Sequence, residues 1–303
     1  MADQGSTPGQ LLRRALFSAL ALQNKALRTV ADYAVMRHLA ETTIDAGYRI
    51  SSDRIDCDVP PETLEKLFRH VQAVWSKLGE IEPHFSVLSH PQYMPAAFAR
   101  HQDAFYASGA DEFGAALRRL ETLGLIPRRD GRAVEFGCGA GRVTRQLANA
   151  FAQVVGYDVS PNLLRLAAER FENQGVRNVD LRRIESVETL AVPPHDFFYS
   201  KIVFQHNPPP IAKYFLDLML GKLNVGGIAF FQLVTAMSDY RFDCDEYLSK
   251  MPNIGGKEIH ALPQRQAFDI FERCGIVPRE VVRDISAPGS NVISTLFVGE
   301  RVR

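Results

Sequence analysis

The chain has 303 residues, 46% of them hydrophobic, and its 35 basic and 35 acidic side chains give a formal net charge of +0. That apolar content supplies a sizeable core and argues against disorder, while the charge balance, without a lysine or arginine run, lacks the basic footprint of a nucleic-acid binder. The four cysteines, Cys57, Cys138, Cys244 and Cys274, show no CxxC spacing, and no apolar run approaches the roughly 20 residues of a membrane span, so a cytoplasmic protein with a small-molecule ligand is expected.

Thr7 and Pro8 can open a helix in which Leu16, Leu20, Leu27, Val30 and Ala34 recur at helical spacing until the pattern fades near Gly47. This helix is expected to pack on its own protein or on a second subunit, giving a homodimer. A second helix is expected from Pro61 to just short of Gly79, with Leu64, Leu67, Phe68, Val71, Val74, Trp75 and Leu78 on its apolar face, which makes Trp75 a core residue. Residues 82–95, rich in proline and aromatics, read as irregular, with His84 and His90 as surface or capping groups. A helix is predicted over 111–123, with residues 105–109 as its cap.

Residues 133–147, AVEFGCGAGRVTRQL, are the most informative stretch: an apolar strand, a loop with Gly137, Gly139 and Gly141, then a helix. Strands follow at 154–158, 179–184, 197–204 and 228–234, with helices at 161–171 and 210–223. A loop-rich insert over 235–262 precedes a helix at 263–274 and two final strands, 276–284 and 292–301. The fold class expected is α/β, a Rossmann-like doubly wound sheet, mainly parallel with an antiparallel C-terminal hairpin at its edge, plus an N-terminal helical extension. The expected domains are residues 1–104, a cap or dimerisation extension, and 105–303, the ligand-binding domain.

An open parallel sheet binds its ligand at the carboxyl ends of the strands, where the glycine loop lies. A dinucleotide site wants G-x-G-x-x-G; here the spacing is G-C-G-A-G, and Glu135 ahead of it would repel a pyrophosphate. A cationic ligand suits it better. The run VEFGCGAGR, with Asp158 closing the next strand, resembles the first two motifs of class I S-adenosylmethionine-dependent methyltransferases. Agreeing features are residues 185–187 after the third strand, the YSKIVFQH run at 199–206, LNVGG at 223–227 and the reversed last strand.

The resemblance implies S-adenosylmethionine as cofactor. Glu135, Gly137, Cys138, Gly139 and Gly141 would line its methionine side, Asp158 with Val159 would take the ribose, Ser186 and Val187 the adenine, and Gln205 would approach from the fourth strand. It also implies transfer to a small-molecule acceptor, with a hydroxyl of a sugar or natural product ahead of an amine; a cofactor-binding partner subunit without turnover is the competing class. A hydroxyl acceptor needs a base, and His206 is read either as that base or as a brace for its loop. His260, by resemblance, lines the acceptor pocket, and Tyr106 is placed to close over the cofactor. Asn207 and the prolines 208–210 partly match an amine-methylating motif but lack its aromatic, so the prolines are taken to start the next helix. Asp239, Asp243, Asp245 and Glu246 read as a solvated acidic loop, and no metal is assigned.

Overall fold

Central strands of a parallel sheet are covered on both faces, and the two strands flanking the glycine loop have that character. In the computed structural model, which describes residues 55–251, 256–285 and 292–303, β1 (Arg132–Phe136) is buried from Ala133 onward and β4 (His195–Ser200) along its whole length. With β2 (Gln153–Asp158), β3 (Val179–Arg183), β5 (Leu223–Met237), β6 (Ile276–Asp284) and β7 (Val292–Arg301) they form a seven-stranded sheet in the order β3-β2-β1-β4-β5-β7-β6. β1 to β5 run parallel, and β7 is antiparallel to both of its neighbours. The expected terminal hairpin therefore forms, with β7 inserted between β5 and β6. The order reverses between β1 and β4, which opens a crevice at their carboxyl ends.

Alternation along the strands sorts side chains to two cores. Val134, Phe136, Tyr157, Phe198 and Phe231 share one with Leu67 and Phe68 of α1 (Pro61–Ile81), and Ala133, Val154, Phe197, Tyr199 and Phe230 share the other with Phe113 and Leu120. After α1 come α2 (Pro83–Val87), α3 (Pro95–Phe98), α4 (Gln102–Thr122), α5 (Thr144–Ala150), α6 (Pro161–Asn173), α7 (Pro209–Gly221), α8 (Cys244–Lys250) and α9 (Gln264–Arg273). α1 reaches α6 closely because Gly79 has no side chain: a Cβ there would lie 2.1 Å from Ser160 Oγ. The Asn162 amide donates to Gly79 O at 2.7 Å across the same contact.

Several local readings are corrected. Residues 82–95 are ordered as α2 and a 3-10 turn (Pro91–Tyr93), and His84 is buried with its ring stacked on Phe98 at 3.3 Å. His90 does cap, accepting from Gln92 N at 3.5 Å. α4 begins at Gln102, so 105–109 are helical; Gly109 breaks the pattern because a Cβ there would strike the Arg142 carbonyl at 2.2 Å. β4 stops at Ser200 rather than 204, turned aside at Ile202, whose φ of 58° is strained for a β-branched residue. α1 continues past Gly79 to Ile81, and Trp75 is only partly buried. Asp243 caps α8, and Glu246 pairs with Arg241 and Lys250, so these acids stabilise a helix. The helix expected over 7–47, with its dimer role, lies outside the described residues. Among the described residues no helix is long and apolar enough to cross a membrane.

Candidate active site

The glycine loop is built by what a side chain would collide with. Gly137 has φ +77° and a Cβ on it would come within 2.4 Å of Val203; Gly141 has φ +79° and a Cβ would meet Phe171 at 2.6 Å. Gly137 N and Cys138 N both donate to Tyr157 O at 2.8 and 2.9 Å, which pins the loop to β2. Asp158 closes the loop from the other side. Its Oδ2 accepts from Gly139 N and its Oδ1 from Ser160 N, each at 2.8 Å. Each carboxylate oxygen keeps a further lone pair for a ligand hydroxyl.

Behind the loop, Glu135 points to the same side as Ala133 and meets α5, where Thr144 Oγ1 donates to it at 2.6 Å. Burial pushes its carboxyl up to about 8, against the opposing pull of Thr144 and Arg142. Arg142 donates to Glu112 at 2.7 Å, with its buried Nε left without a partner among the described residues, and Tyr199 OH donates to the other Glu112 oxygen at 2.7 Å. Glu112, Glu135, Arg142, Asp158 and Tyr199 all line one cleft of about 480 Å3.

Trp75, Ser89, Lys201, His206 and Lys257 line the same cleft. The ring of Trp75 lies 5.0 Å from that of His206. His206 Nδ1 donates to Glu258 O at 2.8 Å; a carbonyl can only accept, so Nδ1 carries the proton and Nε2 offers a lone pair. Burial pushes His206 down to about 4, so the ring is neutral near pH 7. It is braced through one nitrogen, and the Gln205 amide nitrogen lies 3.4 Å from the other.

The structure brings together Glu135, Gly137, Cys138, Gly139, Asp158, Val159, Gln205 and His206 on the cleft. Gly141 stands behind it as a hinge of the loop. Ser186 and Val187 are held elsewhere: Ser186 Oγ and Val187 N donate to Glu65 of α1 at 3.3 and 3.2 Å, while Ile184 lines the cleft in their place. His260 lies behind the wall, its Nδ1 hydrogen-bonded to Tyr240 OH at 2.9 Å, and only its backbone N reaches the cleft region, donating to Gln205 O at 2.7 Å. Tyr106 is turned away, its ring 3.5 Å beneath the Arg170 guanidinium in a separate depression. Asn207 borders the cleft but spends its amide on Val203 O at 2.9 Å, and α7 starts at Pro209. Trp75, Lys201 and Lys257 were not singled out in the sequence as site residues; a tryptophan on an apolar helical face and lone lysines carry no spacing signal.

A Rossmann-like sheet with a glycine loop after β1, a carboxylate closing β2 and a cleft at the switch point defines a nucleoside-cofactor site. Residues 133–227 match the family described as a methyltransferase domain. The chain is 30% identical over 146 residues to trans-aconitate 2-methyltransferase of Streptomyces avermitilis, covering 47% of this chain and 51% of that one. It is 30% identical over 108 residues to the ubiquinone biosynthesis O-methyltransferase of Xylella fastidiosa, covering 35% and 42%. The chain thus spans about half, or less, of the length of these curated relatives. Magnesium protoporphyrin IX methyltransferase of Synechocystis, solved with bound S-adenosylhomocysteine, is similar at 16% identity and a TM-score of 0.46, over 64% of this chain and 84% of that one. Residues 133–227 thus carry a methyltransferase domain, and the cofactor of such a domain is S-adenosylmethionine.

The residues present fit that cofactor. Asp158 offers free lone pairs to two ribose hydroxyls, the glycines leave room where a Cβ would intrude, and Val159, Leu163 and Ile184 give an apolar wall for a base. Glu135 adds a carboxyl to the cleft lining.

Proposed function

We propose that this protein transfers the methyl group of S-adenosylmethionine to an oxygen of a small-molecule acceptor. The observation that carries the reading is the continuity of the cleft: one lining runs from Asp158 and the glycine loop to Trp75, His206 and Lys257. A cofactor-binding subunit without turnover needs the first half and has no use for the second. The Xylella relative, an O-methyltransferase by name, supports an oxygen acceptor by analogy.

The bound cofactor supplies an electrophilic methyl on sulfur. What this chain must add is alignment, dryness and charge. Asp158 and the loop fix one end. Val71, Trp75 and Val87 also line the cleft, Val87 beside Gly139, so we read residues 61–104 as a cap on it even though α4 runs unbroken across that boundary. An acceptor hydroxyl of a sugar or natural product would ask His206 Nε2 to take its proton. With its pKa near 4, His206 is a weak base at neutral pH, and the Gln205 amide nitrogen already lies 3.4 Å from Nε2. An oxygen that brings no proton to be removed suits the cleft better.

The test is turnover. Incubation with S-adenosylmethionine and a panel of alcohols, acids and amines should release S-adenosylhomocysteine with oxygen acceptors. Release with amines alone, or with none, would refute the reading.

A further inference from the structure

We propose that the acceptor is a small carboxylic acid methylated on its carboxylate oxygen, and that Lys257 and Lys201 receive its negative charge. This rests on the methyltransferase reading and narrows it.

Lys257 is half-buried on the cleft and has only neutral partners. Its ammonium donates to Phe85 O at 3.0 Å and Ser89 Oγ at 2.7 Å and lies 4.9 Å from the Phe85 ring. An ammonium has three donors, so one is left over. Among the described residues no carboxylate comes within ion-pair distance of it, and burial lowers its pKa despite the more distant Glu82. A desolvated cation without a counter-charge is costly, and an anionic ligand relieves that cost. Lys201, after the end of β4, also lines the cleft and forms a long ion pair with Asp284 at 3.8 Å.

The placement of Lys257 is fixed. Glu258 O takes the His206 proton donor at 2.8 Å, Ile259 lines the cleft, and His260 N binds Gln205 O at 2.7 Å. The cleft's carboxylates, by contrast, gather at the glycine loop and its support: Asp158, Glu135 and Glu112, the last ion-paired with Arg142. The same cleft therefore carries carboxyl groups that suit a sulfonium and two lysine ammonium groups that suit a carboxylate.

The chemistry balances without a base. A carboxylate oxygen lone pair forms the new C–O bond as the C–S bond breaks, and the C–S electron pair stays on sulfur. A methyl ester and S-adenosylhomocysteine result, one positive and one negative centre are neutralised, and no proton moves. This agrees with an imidazole held as a brace.

The full chain would be assayed with S-adenosylmethionine against citrate, fumarate and benzoate, with glucose and catechol as neutral hydroxyl acceptors. Acids should stimulate S-adenosylhomocysteine release and yield alkali-labile methyl esters. Lys257→Met and Lys201→Met, shown folded by circular dichroism, should each raise KM for the responding acid about tenfold or more, as lost charged hydrogen bonds do, with the Kd for S-adenosylmethionine within about twofold of the parent; Lys257→Arg should recover part of the loss. Turnover of hydroxyl acceptors but no acid, or of nothing while the cofactor binds, would overturn the proposal. So would lysine variants that weaken cofactor binding and leave the acid KM unchanged, because the lysines would then hold the cofactor's own carboxylate. Failure of the folded chain to bind S-adenosylmethionine at all would instead remove the underlying methyltransferase reading.

Discussion

Glu135 occupies a strand position that is otherwise apolar, and its burial keeps the proton on at neutral pH, with a pKa of about 8. A carboxyl raised in this way favours the fold below its unfolded pKa, and that contribution is lost as pH rises through about 8. A cation bound nearby reverses the preference and draws the proton off. S-adenosylmethionine affinity, taken relative to Glu135→Gln, should therefore climb between pH 6 and 8 and flatten above, by at most about tenfold per pH unit; calorimetry across that range checks it, and a flat ratio would separate Glu135 from the cofactor. Asp158→Asn should weaken cofactor binding by about 1 to 3 kcal/mol, and thermal denaturation should also show a loosened loop, because the same carboxylate holds Gly139 N and Ser160 N. His206→Ala should lower turnover of an acid acceptor less than about tenfold, below the range typical for losing a general base. A loss of a hundredfold or more would make the imidazole the base and return the acceptor to a hydroxyl.

α1 joins two tasks on one helix. Leu67 and Phe68 are fully buried, and Phe68 meets Phe215 edge-on at 5.8 Å, which ties the helix to α7. Phe68→Ala should cost about 3 to 5 kcal/mol in denaturant unfolding. A turn or two further along, Trp75 turns from core to cleft; Trp75→Ala should raise the acceptor KM while shifting the midpoint little, and a large stability loss would assign it to the core after all. Sequence periodicity could not separate these roles, because a cleft-facing aromatic and a core aromatic occupy the same apolar stripe. The same limit explains α4, where Gly109 looked like a helix start yet marks a close approach to the Arg142 backbone. At the end of β4 the apolar run through Phe204 hid the turn at Ile202, which tertiary contacts hold in place: Ile202 N donates to Gln232 Oε1 at 3.0 Å.

At the scale of the whole molecule, the strand order and the loop after β1 put Asp158, Glu135 and the glycines at one crevice. Much of this was legible, since glycines with positive φ, a carboxylate closing a strand and alternating β and α segments all leave local traces. The residues proposed to meet the acceptor left none: Trp75, Ser89, His206 and Lys257 meet only through the fold, and both His260 and Tyr106, chosen by their position near the insert and the motif, point elsewhere. Ser186 and Val187 were misplaced for a related reason, because Glu65 of α1 claims their donors from more than a hundred residues away. The most direct measurement is calorimetric titration of the folded chain with S-adenosylmethionine. One saturable site, lost or strongly weakened in Asp158→Ala, is expected; an intact fold that releases no heat and gains no thermal stability with the cofactor would contradict it.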